Sequence, residues 1–221
     1  MTFSLLIRDP ETGALAGAAA TGSLCVGGWV LRGDLRAGMS ASQGASPSSF
    51  WGEDVLRCMA EGLPAKRAVA EVVERDRNRE DRQLSALDVS GQGAAFTGAN
   101  NGDEKGALIF PNGIVAGNIL ADAKVLVAIR DGYLDAQGPL GRRMIAALEA
   151  GRAAGGDSRG LMSAALLELR RDTAPLTLRV DFHESDPLGA LVDLHARATS
   201  GEYAYWARQV PSLDDPERGL D

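Results

Sequence analysis

The side chains able to do chemistry in this chain are few and far apart. Thr2, in the opening stretch MTFSLLIRDPETG, is either an ordinary strand residue or the end of the mature chain and its nucleophile. A Thr hydroxyl attacks poorly unless a base lies within hydrogen-bond reach. Cys25 and Cys58 show no CxxC spacing, so two reduced, buried thiols are expected, with a reactive Cys25 in GSLCVGG as the alternative. His183 and His195 stand alone and give no metal-ligand spacing, and neither metal nor cofactor is expected. No Ser-His-Asp motif, P-loop or GxGxxG fingerprint occurs.

Composition narrows the setting. The chain has 221 residues, 45% of them hydrophobic, enough for a full-sized core. A net charge of −7 argues against nucleic acid as partner, because a phosphate backbone wants a basic face. Substrate charge stays open, since a local Arg cluster can sit on an acidic protein. The apolar run Phe3 to Ile7 is too short for a secretory signal and is cut off by Arg8-Asp9-Pro10. No stretch approaches a membrane span, so a cytoplasmic protein without membrane contact is expected.

The elements that must position these residues follow from turn and cap chemistry. DPETG reads as a hairpin between strand Thr2 to Arg8 and the returning ALAGAAATG, whose small residues suggest a closely packed sheet. Gly27-Gly28 reads as a turn before a strand at Trp29-Val30-Leu31, and AGMSASQ as another strand. Ser46-Pro47-Ser48-Ser49 starts a helix burying Phe50, Val55, Leu56 and Met59. A second helix runs from Pro64 to about Glu74. Gln83 to Asp88 and Ala94 to Thr97 pair as a hairpin, and Ile114-Val115-Ala116 is a strand ending at Gly117-Asn118. Helices follow over 122–133 and 140–151, then strands over 163–169 and 176–180, and a helix over 188–198. Paired helices between blocks of antiparallel strands predict an α+β fold, a four-layer αββα sandwich of two stacked, mainly antiparallel sheets with helices on both outer faces. One domain over 1–200 is expected, with a tail over 201–221 whose Tyr203, Tyr205 and Trp206 suit an oligomer contact.

MTFSLLIRDPETG, LRAGMSASQG, FTG, AGNIL, EAGRAAGGDSRG and SAALL, in this order, resemble the bacterial domain-of-unknown-function family 1028, which is grouped by fold with the N-terminal nucleophile (Ntn) hydrolases. The resemblance covers roughly residues 1–195. It implies that Thr2, exposed by removal of Met1, attacks an amide while its own α-amine, titrating near ~8, takes the proton. It further implies that Gly44, in Ser42-Gln43-Gly44-Ala45, offers a backbone N–H to the oxyanion. The other reading of Gly44 is a tight turn. Gln43 would orient a substrate amide, and Asn118 would donate to substrate or cap a turn. Asp157 and Ser158 would support the nucleophile's amine, with an Asp157–Arg159 pair in an ordinary loop as the alternative. Ntn sites of the proteasome type carry a Lys after the second strand. This chain has none there, leaving Arg32 or Arg36 to supply positive charge and hold a carboxylate, with Arg159 a further substrate-binding candidate.

Three functions fit. The first is a hydrolase of amide bonds in small nitrogenous metabolites, acting through Thr2. The second is a non-catalytic protein that binds a small ligand on the same fold, and the third a structural protein that assembles through its tail. Hydrolysis by Cys25 or His183 has no supporting spacing.

Overall fold

The computed structural model describes residues 2–156 and 160–220. In chain order the elements are β1 (Thr2–Arg8), β2 (Leu15–Thr21), α1 (Val26–Trp29), β3 (Leu31–Asp34), β4 (Gly38–Gly44), α2 (Ser49–Ala60), α3 (Ala65–Glu74), β5 (Arg82–Asp88), β6 (Gly93–Thr97), β7 (Gly106–Phe110), β8 (Gly113–Asn118), α4 (Lys124–Asp135), α5 (Leu140–Ala153), β9 (Ser163–Leu169), β10 (Leu176–Val180), α6 (Pro187–Ala198) and α7 (Gly201–Ala207). The first hairpin turns where the sequence predicts. Asp9 accepts the N–H groups of Glu11 (2.9 Å) and Thr12 (3.0 Å), and Gly13 takes φ +71°.

The strands form a six-stranded sheet, β10-β9-β2-β1-β8-β7, and a four-stranded sheet, β3-β4-β5-β6, every pairing antiparallel. Side-chain alternation sorts the core into three apolar layers. Phe3, Leu5 and Ile7 face Ile129, Met144, Ile145 and Leu148 of α4 and α5. Leu84 and Ala86 pack under Trp51, Val55 and Val69 of α2 and α3. Leu6, Leu15, Met39, Leu87 and Ile114 fill the space between the sheets. Fully burying one such Leu or Phe contributes about 1.5–3 kcal/mol. The protein is therefore an αββα sandwich.

Several local expectations are corrected. The residues of Gly27-Gly28 lie in the short helix α1, and β3 starts only at Leu31. Helix α2 buries Trp51, Val55, Cys58 and Met59, while Phe50 is 70% exposed. The alanine stripe 14, 16, 18 and 20 of β2 lies under the helical layer rather than between the sheets. There, small residues let α5 lie close. Gly17 makes the close approach across the sheets: a Cβ there would stand 2.9 Å from Met39 Cε. Past 200, α7 holds Tyr203 and Trp206 with ring centroids 5.5 Å apart. The chain then turns back onto the β9–β10 turn, where the Arg171 guanidinium lies 2.7 Å from Asp214.

Asp88 ties β5 to α3. Its carboxylate accepts the Ser90 hydroxyl (2.6 Å), the N–H groups of Ser90 (3.0 Å) and Gln92 (3.1 Å), and the Ala65 N–H (3.1 Å) in the first turn of α3. Burial pushes its pKa up, but these hydrogen bonds outweigh burial and hold it below the usual Asp value. A depressed folded pKa contributes stability that is present above the unfolded value, ~4, and is lost as pH falls through the folded one. Asp88→Asn should cost about 1–3 kcal/mol at neutral pH. In urea titrations from pH 7 to pH 2 it should also flatten the acid limb, and an unchanged acid limb would disprove this role.

Candidate active site at the open end of the sandwich

Four strand ends meet at one end of the molecule. β1 starts there, and β2, β4 and β8 finish there, with Thr2 opposite Thr21 on one side and Asn118 on the other. β5 also begins at this end, with Gln83 opposite Gln43, and the inter-sheet face changes character along β1, β5, β4 and β8. It runs Thr2, Ser4, Leu6 on β1, Gln83, Ser85, Leu87 on β5, Gln43, Ala41, Met39 on β4 and Asn118, Ala116, Ile114 on β8. The layer between the sheets is thus polar at this end and apolar at the other. The polar end opens into a cleft of about 530 Å³, lined among others by Thr2, Thr21, Gln43, Gly44, Trp29 and Ile119.

The polar groups are hydrogen-bonded in a defined order. Thr2 Oγ1 donates to Thr21 Oγ1 (3.1 Å). Gln43 Nε2 donates to Gln83 Oε1 (2.7 Å) and to the Thr2 carbonyl (3.3 Å). Asn118 Nδ2 donates to the same Gln83 oxygen (3.1 Å). Gln83 Nε2 faces the carbonyls of Gly117 (2.8 Å) and Gly106 (3.1 Å) and the Thr97 hydroxyl (2.8 Å).

Gly44 turns the chain from β4 toward α2. Ser42 N–H donates to the Val30 carbonyl (3.1 Å) on the β3 side, so strand alternation turns the Gly44 N–H to that side too. Because β3 starts at Leu31, opposite Ala41, no strand pairs with β4 on that side at Gly44, which lines the cleft together with Trp29 and Val30. The turn needs glycine: φ is +139°, and a Cβ would lie 2.6 Å from the Asp81 carbonyl. Asn101, fully buried, clamps it by accepting the Ala45 N–H (2.9 Å) and donating to the carbonyls of Arg82 and Gly98 (both 3.0 Å). Ile119, at φ +52°, and Cys25, at φ +60°, hold left-handed backbone beside the cleft. For a β-branched residue that conformation is strained, and such strain is typical of functional loops.

The lining residues Thr2, Thr21, Ser23, Gln43 and Ser46 are polar, but no described lining residue carries a titratable or charged side chain. Shifted groups lie elsewhere. Burial pushes Glu168 up, against the pull of Arg170, and burial with Arg142 nearby holds His195 down, where α5 and α6 meet β9. Among the described residues no group of three His, Cys, Asp or Glu could hold a metal ion. None of their helices is long and apolar enough to cross a membrane.

Of the residues singled out from sequence, Thr2, Gln43 and Gly44 line one cleft, and Asn118 lies beneath it on Gln83. Arg32 lies outside this group, on the face of β3 toward α2, where Nη1 donates to the Leu31 carbonyl (2.8 Å) and Nε lies 3.6 Å from Glu53. Arg36 sits in the β3–β4 turn at the far end of β4, 78% exposed and 3.5 Å from Asp34. Asp157, Ser158 and Arg159 lie outside the described residues. His183 is a turn residue whose Nδ1 accepts the N–H groups of Asp186 (2.9 Å) and Ser185 (3.3 Å). Thr21, Gln83 and Asn101 escaped the sequence reading. A Gln on the inward face of RQLSALD was the available signal for Gln83, and Asn101 looked like any loop Asn.

Fold and cleft define an αββα sandwich with a pocket between its sheets whose described lining side chains are uncharged, opening where the N-terminal strand begins. The chain belongs to the family of unknown function DUF1028, whose model matches residues 2–191. It is similar over its length to the crystal structure of protein SPO2555 from Silicibacter pomeroyi, of the same family model. The two are 55% identical, the match covers 100% of this chain and 99% of that one, and the TM-score is 0.96. No curated protein matches the chain.

Gly44→Ala should destabilise the protein by about 1–3 kcal/mol, combining positive-φ strain with the backbone clash. Equilibrium unfolding checks this, and a loss below about 0.5 kcal/mol, the level of an ordinary surface change, would show that the turn is not rigid.

Proposed function

We propose that the protein hydrolyses an amide bond of a small nitrogenous molecule, with Thr2 as the N-terminal nucleophile once Met1 is removed. The observation that carries this reading is that Thr2 and Gly44, from the two different sheets, line one cleft. In the reaction Thr2 Oγ1 bonds to the amide carbon and its proton passes to the α-amine. The Gly44 N–H donates to the carbonyl oxygen as it becomes negative. The C–N bond then breaks, with the proton delivered to the leaving amine. Water hydrolyses the Thr2 ester, releasing the acid and restoring the hydroxyl. Among the described lining residues no side chain can act as base, which leaves the α-amine in that role and requires no side-chain cation in this reading. Asn118 fixes the amide cluster below the nucleophile, and Asp157 and Ser158 are proposed to support the amine.

Three measurements test it. Intact-mass analysis of the untagged protein should find chains lacking Met1. Thr2→Ala should abolish turnover of responsive amides, at least about 10³-fold, with little change in stability, while Thr2→Ser retains activity. Because the base must be unprotonated, kcat/KM should be low in acid and rise in one step through the amine's pKa, near or below ~8. Full activity with Met1 retained would disprove the mechanism.

The lack of an ionisable side chain among the described lining residues also favours a second reading, a binding protein with no turnover. A ligand that raises the melting temperature of fully Met1-free protein and is never consumed would support it. We further propose that Tyr203, Tyr205 and Trp206, all about half exposed, serve assembly with a second copy. Truncation after Ala198 that leaves the solution size per chain count unchanged would oppose this.

A further inference from the structure

The orientation of Gln43 follows from hydrogen bonding alone. The carbonyls of Gly106 and Gly117 only accept, so the Gln83 nitrogen must be the atom facing them. Gln83 Oε1 is thereby turned toward Gln43 and Asn118, both of which must present their NH2 groups to it. Gln43 therefore has its Oε1 on the opposite side. That oxygen is buried and has no partner among the described residues, on a side chain that is 1% exposed and lines the cleft. A buried acceptor left without a donor is costly, and a group in the cleft that donates an N–H removes the cost.

The rest of the lining says what that group belongs to. Leu24 and Trp29, 54% and 53% exposed, supply apolar surface beside the polar floor.

We infer that the cleft selects a molecule bearing an amide N–H, with Gln43 Oε1 as the specificity-determining acceptor and Gln83 as the residue that positions it. This deepens the proposed function and rests on the cleft being the substrate site. It excludes esters and N-alkylated amides as good ligands.

The test separates recognition from turnover. Full-length Thr2→Ala protein, free of Met1, is titrated with 2-piperidone and N-methyl-2-piperidone, whose rings hold the amide in one geometry. Ligand-observed magnetic resonance reads each affinity. The N–H lactam should bind about tenfold or more tightly than its N-methyl analogue. Gln43→Leu should remove the lactam preference, and Gln83→Leu should weaken it by freeing the Gln43 amide to rotate. Should either variant fail to fold, the lactam pair still decides on the Thr2→Ala protein. Equal affinities within the lactam pair, or no binding by the N–H lactam, would overturn the inference. Turnover of the same amides by wild type is read separately: its absence counts against the hydrolase and leaves the N–H preference standing.

Discussion

The Gln83 amide joins the two sheets at the end where the cleft opens. Its backbone belongs to β5 of the four-stranded sheet, and its nitrogen reaches the carbonyls at Gly106 of β7 and Gly117 of β8 in the other sheet. A side-chain amide in this place is costly unless each of its atoms is satisfied, because the surroundings exclude water. Both atoms are satisfied, and the bonding order is then forced outward through Gln43 and Asn118 to the strand that carries Thr2. The spacing of the sheets and the floor of the cleft thus depend on one hydrogen-bonded cluster.

The polar-to-apolar change along the strands explains why the cleft lies at this end. Sheet stacking holds wherever Leu6, Met39, Leu87 and Ile114 interdigitate, since that layer needs only shape and apolar area. At the other end Thr2, Ser4, Gln43, Gln83, Ser85 and Asn118 contribute far less apolar area. Ser4 Oγ and Ser85 Oγ are buried with no partner among the described residues, a further local cost. Stability is concentrated at the apolar end, and the polar end is free to part into a pocket. Strain at Ile119 and Cys25 beside this pocket fits the same division, the rigid layers holding loops that would otherwise relax.

Much of this was legible in the sequence, because alternation and turn chemistry act locally. The Asp9 turn, the β5–β6 hairpin and the helices after Pro64 and Pro139 follow from residues close in the chain. β7 was not legible: GALIF is half-exposed and follows a Gly-rich loop, so its strand state comes from pairing with β8. α7 escaped because its aromatics have no apolar partner face in the sequence, and Phe50 misled because Trp51, one position on, takes the inward place. Thr2, Gln43 and Gly44 were recognisable as candidates from the resemblance. Their meeting depends on register between β1, β2 and β8 and on two sheets stacking. Gln83 was invisible as a site residue because its partners are backbone carbonyls from strands 23 and 34 positions away.

A cleft whose described lining carries no ionisable side chain constrains the chemistry done in it. A side-chain base or cation would have to keep its charge among Leu24, Val26, Trp29 and Ile119, which disfavours the charged form. A backbone α-amine escapes much of this conflict: its position is set by β1 itself, and no long side chain has to be immobilised to place it. Backbone N–H groups meet the opposite need, offering partial positive charge at a fixed point without an ion. On the proposed reading, the base and the oxyanion donor both come from the main chain, and the side chains of the amide cluster choose the ligand. Among the described lining residues no side chain then takes the place of the lysine expected from proteasome-type sites, and Arg32, turned toward α2 and Glu53, is free to serve the outer layer of the sandwich.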